Sequence, residues 1–363
     1  MYDFLKNFIV NDDMANIYSS SVDWGQLRGT SFYITGAAGM LASYFTYFLI
    51  YLNEVHHYEI KIYAEARDKQ KAKDRFGEYI GRRYFCLVEA DVLAEVPIKE
   101  RVDYVIHAAS LASPQYYGKM PVETMLPNIV GTYRLLEYGK REKIKGFIFF
   151  SSGTVYGTIS GDISEENFGT LDFLDLGNSY SESKRCGEAM CKAYFSEYGV
   201  PVKSARIHHT YGPTMDIEND KRAFSEFTRN IINYSDIILT SDGSAQRGFC
   251  YISDAISALF KILLKGEDGE SYNLGNMDAW VSMKELAEIL VNLYPERGLK
   301  LIFQNREDSG YKLSPEQISN PVNLNKLKKL GWAPKISIRE GFKRVIDSIE
   351  PEIEKENLNH DVE

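Results

Sequence analysis

The segment Thr30-Ser31-Phe32-Tyr33-Ile34-Thr35-Gly36-Ala37-Ala38-Gly39-Met40-Leu41-Ala42 constrains this chain more than any other stretch. A short apolar run over 32–34 meets two glycines and then a long apolar stretch over 40–52. The spacing predicts a strand, a tight turn and a helix. Gly36 permits the turn, Gly39 lets backbone approach a pyrophosphate, and Ala42 in the third position is small enough for close helix–strand packing. The helix N-terminus adds free N–H groups and the positive end of its dipole. The 40–52 run is too short to span a bilayer, and Ser43, Thr46 and several tyrosines interrupt it, so it reads as a buried helix.

The same alternation continues downstream. Strands are expected near 31–35, 60–66, 84–88, 103–108, 146–151, 201–208 and 271–274. Helices near 40–53, 69–76, 122–140, 180–198, 222–233 and 253–264 separate most of them. That order specifies an α/β fold, a Rossmann-type doubly wound parallel sheet with right-handed crossovers. Residues 29–212 plus 249–276 form the expected dinucleotide-binding domain. The irregular segments 213–248 plus 277–350, rich in Pro, Gly, Asn and charge, form a smaller substrate-binding lobe. Residues 1–28 read as an N-terminal arm and 351–363 as a disordered tail.

A chain of 363 residues, 44% hydrophobic, can bury a sizeable core. Its net charge of −9 disfavours a nucleic-acid scaffold or a polybasic membrane binder. The four cysteines, Cys86, Cys186, Cys191 and Cys250, are scattered without a Cys-x-x-Cys pair. They read as free thiols in a reducing cytoplasm, and no metal site is expected.

Chemistry enters with Ser151-Ser152-Gly153-Thr154-Val155-Tyr156-Gly157 at the end of the fifth strand and Tyr180-Ser181-Glu182-Ser183-Lys184 on the next helix. With 25 tyrosines in the chain, Tyr-x-x-x-Lys alone says little. Beside a phosphate loop and a serine-bearing strand it becomes a proton-transfer site. A phenol is a weak base near neutrality because its ordinary pKa is about 10. Lys184, one helical turn away, is expected to stabilise the phenolate, and Ser152 to hold the substrate oxygen while Tyr180 takes or returns its proton. Thr154 either helps orient that oxygen or caps the strand.

These motifs resemble the extended short-chain dehydrogenase/reductase superfamily of nucleotide-sugar epimerases, dehydratases and decarboxylases. The resemblance also rests on Glu89-Ala90-Asp91-Val92, Val105-Ile106-His107-Ala108-Ala109-Ser110, Asn128-Ile129-Val130-Gly131-Thr132 and Ala205-Arg206-Ile207-x-x-Thr210-Tyr211-Gly212-Pro213. Gln246-Arg247-Gly248-Phe249-Cys250-Tyr251 and Tyr272-Asn273-Leu274-Gly275 complete it. It implies a tightly held nicotinamide cofactor, a nucleoside-diphosphate sugar as partner, and a homodimer pairing the helices near 122–140 and 180–198. The run Ser110-Leu111-Ala112-Ser113-Pro114-Gln115-Tyr116-Tyr117 and the later Asn219-Asp220-Lys221-Arg222 are similar to UDP-glucuronate decarboxylases. Decarboxylases of this family, however, carry an acid at the position of Thr154 and an arginine at that of Thr214. Dehydratases carry an Asp-Glu pair at Gly153 and Thr154. The strand end here looks like the 4-epimerase version.

The resemblance implies cofactor contacts from Gly36, Gly39, Met40, Leu41, Asp91, Val92 and the Ala108-Ala109-Ser110 strand end. Asn128, Ser151, Tyr180, Lys184 and His208 join them. Glu65, near the end of the second strand, argues for NAD through the ribose hydroxyls, whereas Arg67 resembles NADP-binding relatives. NAD is the expected cofactor, with NADP left open. Substrate contacts are expected from Ser113, Ser152, Gly153, His209, Arg222 and Arg247, with Arg247 either on the diphosphate or in a surface ion pair. His208 and His209 are adjacent on a strand and point to opposite faces, which argues against a metal pair.

Overall fold

In the computed structural model residues 4–304 and 320–360 are described. The stretch 305–319 of the expected substrate lobe, residues 1–3 of the arm and 361–363 of the tail lie outside the described residues. Seven strands form the central sheet: β1 (Ser31–Thr35), β2 (Lys61–Ala66), β3 (Phe85–Glu89), β4 (Tyr104–His107), β5 (Gly146–Ser152), β6 (Val202–Ile207) and β7 (Glu270–Leu274). Their spatial order is β7-β6-β5-β4-β1-β2-β3, and every neighbouring pair is parallel. The order reverses between β1 and β4, which opens the crevice where doubly wound sheets bind ligands.

Both sheet faces are covered, as parallel strands require. On one face Tyr33, Val105, Phe147 and Phe149 pack with Leu135, Leu136 and Cys191 from the Thr132–Glu142 and Ser179–Tyr198 helices. On the other, Phe32, Ile34, Ile106 and Ile148 meet the Met40–His56 and Ile252–Lys265 helices. The expected single helix over 122–140 is divided: Pro121–Leu126 leads through a wide turn at Pro127–Gly131 into Thr132–Glu142. Pro127 supplies no N–H to a regular helical ladder, which accounts for the break. The Pro127 carbonyl lies 3.1 Å from the His107 Nε2 atom.

The N-terminal segment is a docked helix. Val10, Met14 and Ile17, one face of Phe8–Tyr18, are buried, and Phe4 stacks on Tyr47 with ring centroids 4.0 Å apart. This helix packs against the Met40–His56, Ile252–Lys265 and Ile338–His360 helices. That last helix continues through 351–360, where a disordered tail was expected. After β6 the chain builds smaller pieces: the Ala223–Ile232 and Met283–Val291 helices and two short strand pairs, Ile237–Leu239 with Leu301–Phe303 and Gln246–Gly248 with Trp280–Ser282. Between them, Ile252–Lys265 and β7 return to the sheet. Among the described residues no helix is long and apolar enough to cross a membrane.

Candidate active site

The turn after β1 has no room for a side chain. Gly36 lies at φ +62°, and a Cβ there would sit 2.7 Å from the Ala109 Cα atom and 2.9 Å from its nitrogen. The Thr35 Oγ1 atom accepts the N–H groups of both Ala108 and Ala109 at 3.2 Å, so the ends of β1 and β4 are fastened together. Gly39 begins the Met40–His56 helix without a side-chain cap, leaving its first turn, Met40 and Leu41 included, open to an anion. Among the described residues, two buried polar atoms at the strand ends, Ser110 Oγ and His208 Nε2, have no hydrogen-bond partner. A tight glycine cradle, an uncapped helix end and orphaned polar atoms are what a dinucleotide would complete, so the residues fit the cofactor. Gly36→Ala should strain the left-handed backbone and push β4 away. Less dinucleotide would then remain with the purified protein, read as absorbance released on denaturation.

The other expected cofactor residues divide by environment. Glu65 is buried and accepts the Tyr33 hydroxyl at 2.6 Å, and burial pushes its carboxyl up to about 7. It is therefore held within the sheet layer rather than presented at the strand end, where Arg67 is exposed and Asp68 caps the next helix by accepting the Lys71 N–H. Asp91 closes its own loop by accepting the Leu93 N–H at 3.0 Å. The Val92 side chain fills the space beside Gly131. Asn128 is fully buried and donates to Thr124 and Ser183, tying the wide turn to the helix of Tyr180. Ser151 donates to Glu188.

Ser152 and Tyr180 do come together. The Ser152 side chain lies beside the Tyr180 phenol and lowers its pKa, and the Ser152 Oγ atom accepts the Thr154 N–H and hydroxyl, each at 3.2 Å. Ser152 thus caps the turn that follows the strand, and Thr154 places a hydroxyl beside it. Burial pushes the Tyr180 phenol up to about 12, against the opposing effects of Ser152 and the Arg222 guanidinium. Lys184 lies one helical turn on, on the same helix. Its ammonium donates to the Phe150 carbonyl at 2.5 Å and lies 5.6 Å from the Tyr180 ring centroid. Burial, opposed by Glu188, lowers its pKa to about 7. The Arg222 guanidinium also eases ionisation of the phenol through its charge.

The outer wall is cationic. Arg222 forms a bidentate pair with Asp220, with contacts of 2.6–3.0 Å. Arg247 is half-buried, its guanidinium pKa depressed by burial, and it donates to the Gln246 carbonyl. Burial, Arg247, His208 and Arg222 together keep His209 neutral, down to about 3. A Cβ at Gly153 would fall 2.3 Å from the His208 ring, which would have to shift to admit a side chain. Thr214 turns away to donate to the Met40 carbonyl at 3.0 Å. Ser113 precedes the short Pro114–Tyr117 helix and caps it with no side-chain bond.

Two groups escaped the sequence reading. Glu188, four residues after Lys184 and so on the same helical face, gathers Arg206, Ser151 and Ser271 under the site. The helical spacing could have found it. Tyr117 lies face to face with Tyr180, across 63 positions in sequence that no local pattern bridges.

Comparison with known proteins places the chain by family and fold. UDP-glucuronic acid decarboxylase 5 of Arabidopsis thaliana is 32% identical over 274 residues, 75% of this chain and 76% of that protein. UDP-glucose 4-epimerase of Thermotoga maritima, solved with UDP-glucose, superposes with a TM-score of 0.76 at 21% identity over 89% of this chain and 99% of that one. UDP-glucuronic acid 4-epimerase of Bacillus cereus, solved with UDP-glucuronic acid and NAD, gives 0.74 at 21% identity over 88% and 99%. Residues 32–275 match the NAD dependent epimerase/dehydratase family, and with the glycine cradle and the Ser152–Tyr180 pair already in place, the chain belongs to that family as an NAD-dependent enzyme of the isomerase or lyase range.

Proposed function

We propose that this protein is a nucleotide-sugar 4-epimerase in which Tyr180 moves the proton of the C4 hydroxyl. The observation that carries the reading is Tyr180 set beside Ser152 at a strand end with no carboxyl group at 153 or 154 and no arginine at 214. Elimination of water needs an acid–base pair beside the sugar, whereas epimerisation needs one proton shuttle. Ser152 and Thr154 hold the carbinol oxygen, Tyr180 removes its proton, and after the ketone has turned over Tyr180 returns a proton to the same oxygen. Bound NAD supplies the acceptor and donor of hydride at that carbon. Arg247 and Arg222 offer guanidinium groups to the diphosphate and any carboxylate on the sugar.

A second reading is decarboxylation, favoured by the 32% identity to a UDP-glucuronate decarboxylase. A 4-ketone places a uronic carboxyl β to a carbonyl, and β-keto acids lose carbon dioxide without a dedicated acid. Proton NMR of UDP-glucuronate and UDP-glucose incubated with the protein separates the two. A C4 epimer without net NADH supports the first reading. Carbon dioxide and a pentose product support the second. No conversion of any nucleotide sugar in a broader panel would discard both.

Arg247→Ala should raise KM about 10–100-fold with a smaller change in kcat, because a charge-assisted contact worth about 1.5–3 kcal/mol is lost in ground and transition states alike. An unchanged KM would remove Arg247 from the diphosphate. The reading extends to a cytoplasmic homodimer, supported by four free cysteines and by exposed Val122, Tyr133 and Tyr198 along the two helices that would pair.

A further inference from the structure

The geometry points to Tyr117 as a positioning residue that fixes the ring plane of Tyr180 and keeps water from its face. The two rings are parallel within 1°, with centroids 4.6 Å apart, an offset stack. The stack is tethered: Ser179, the residue before Tyr180, donates its hydroxyl to the Tyr117 carbonyl at 2.9 Å. The short Pro114–Tyr117 helix therefore moves with the start of the Ser179–Tyr198 helix.

A phenol that must point at one carbinol oxygen loses rate quickly when its ring can swing, because a misplacement of about 1 Å costs on the order of a hundredfold. On the remaining sides, Ser152 reaches Tyr180 from β5, the Arg222 guanidinium acts on both phenols, and Lys184 lies beyond the ring on the same helix. Tyr117 itself stays protonated, since burial and the neighbouring Tyr180 push its phenol far above the ordinary range. It is therefore no rival base. Its contribution is the flat apolar face.

This inference rests on Tyr180 as the base, so the test runs alongside Tyr180→Phe. Tyr117→Phe keeps the stack and should leave kcat within about threefold of wild type. Tyr117→Leu keeps bulk but removes the ring, and kcat should fall about 10–100-fold with little change in KM. In the Leu variant the acid limb of the kcat–pH profile should also move to lower pH, because a phenol less deprived of water ionises more easily. Ser179→Ala, which cuts only the tether, should shift that limb the same way by less, and it serves as the test if the Leu variant does not fold. A wild-type kcat and pH profile in Tyr117→Leu, or no limb shift in Ser179→Ala, overturns the positioning role. A Phe variant as impaired as Leu overturns it too, as does a loss confined to KM. If Tyr180→Phe remains active, the base assignment falls and this inference with it. If Tyr180→Phe is dead while Tyr117→Leu is normal, only this inference falls.

Discussion

Tyr180→Phe should lower turnover about 10²–10⁴-fold while leaving dinucleotide retention and thermal stability near wild type. The variant removes one oxygen from a side chain whose ring is already stacked and buried, so the packing has no reason to change. What disappears is the proton acceptor beside Ser152. The phenol has no ready activation within the chain alone. Burial holds it up to about 12, and Lys184, down to about 7, carries only part of its charge at neutral pH. Ser152 and Arg222 already act within that value, and a positively charged nicotinamide ring would lower it further. Because the base must lose its proton before the carbinol does, wild-type kcat should climb with pH until the phenol is ionised. The variant should lack that limb. Near-normal turnover of a nucleotide sugar by Tyr180→Phe would refute the assignment.

Much of this site is legible in the sequence because backbone chemistry dictates it. Gly36 is required by a positive φ and a 2.7 Å approach, and a glycine between a strand and a helix announces both. The alternation of strands and helices placed β1 to β7 within a residue or two. Side-chain direction was harder. Strand alternation puts Glu65 on the face of Tyr63, and Tyr63 is core, so the pattern itself pointed Glu65 inward toward Tyr33. Lys184 lies on the expected helical face, yet spacing cannot say that the Phe150 carbonyl would capture its ammonium. In the arm, Val10, Met14 and Ile17 carry a helical period. What no local pattern could reveal is the partner set of Asp13, which comes from residues 31, 238 and 331 positions away.

Asp13→Ala should cost about 3 kcal/mol, read as a lower melting temperature, and should loosen the substrate lobe rather than the sheet. Asp13 is fully buried in the N-terminal helix. It accepts the hydroxyls of Tyr44 and Tyr251 (the latter at 2.6 Å) and pairs with Arg344 at 2.9 Å. Tyr44 belongs to the helix of the phosphate turn, Tyr251 leads into Ile252–Lys265, and Arg344 belongs to the last helix. One carboxylate therefore joins the dinucleotide half to the helix that closes the lobe, and Phe342 of that helix stacks on Tyr211 just beyond β6. Removing it withdraws an acceptor from two buried hydroxyls and one of three carboxylates from Arg344. Asp12 and Glu340 still face that guanidinium, which keeps the cost at the lower end for a broken buried pair. The pH dependence has a definite sign. Burial outweighs the partners and raises the Asp13 pKa from 3.8 to about 6. The folded state thus holds a proton that the unfolded state has released. Its contribution to stability is full below about pH 4 and is lost as pH rises through about 6. The stability of wild type relative to Asp13→Asn, whose side chain does not titrate, should therefore increase as pH falls from 6 to 4. A difference that shrinks over that interval would mean that Arg344 and the tyrosines, not burial, set the charge of this residue.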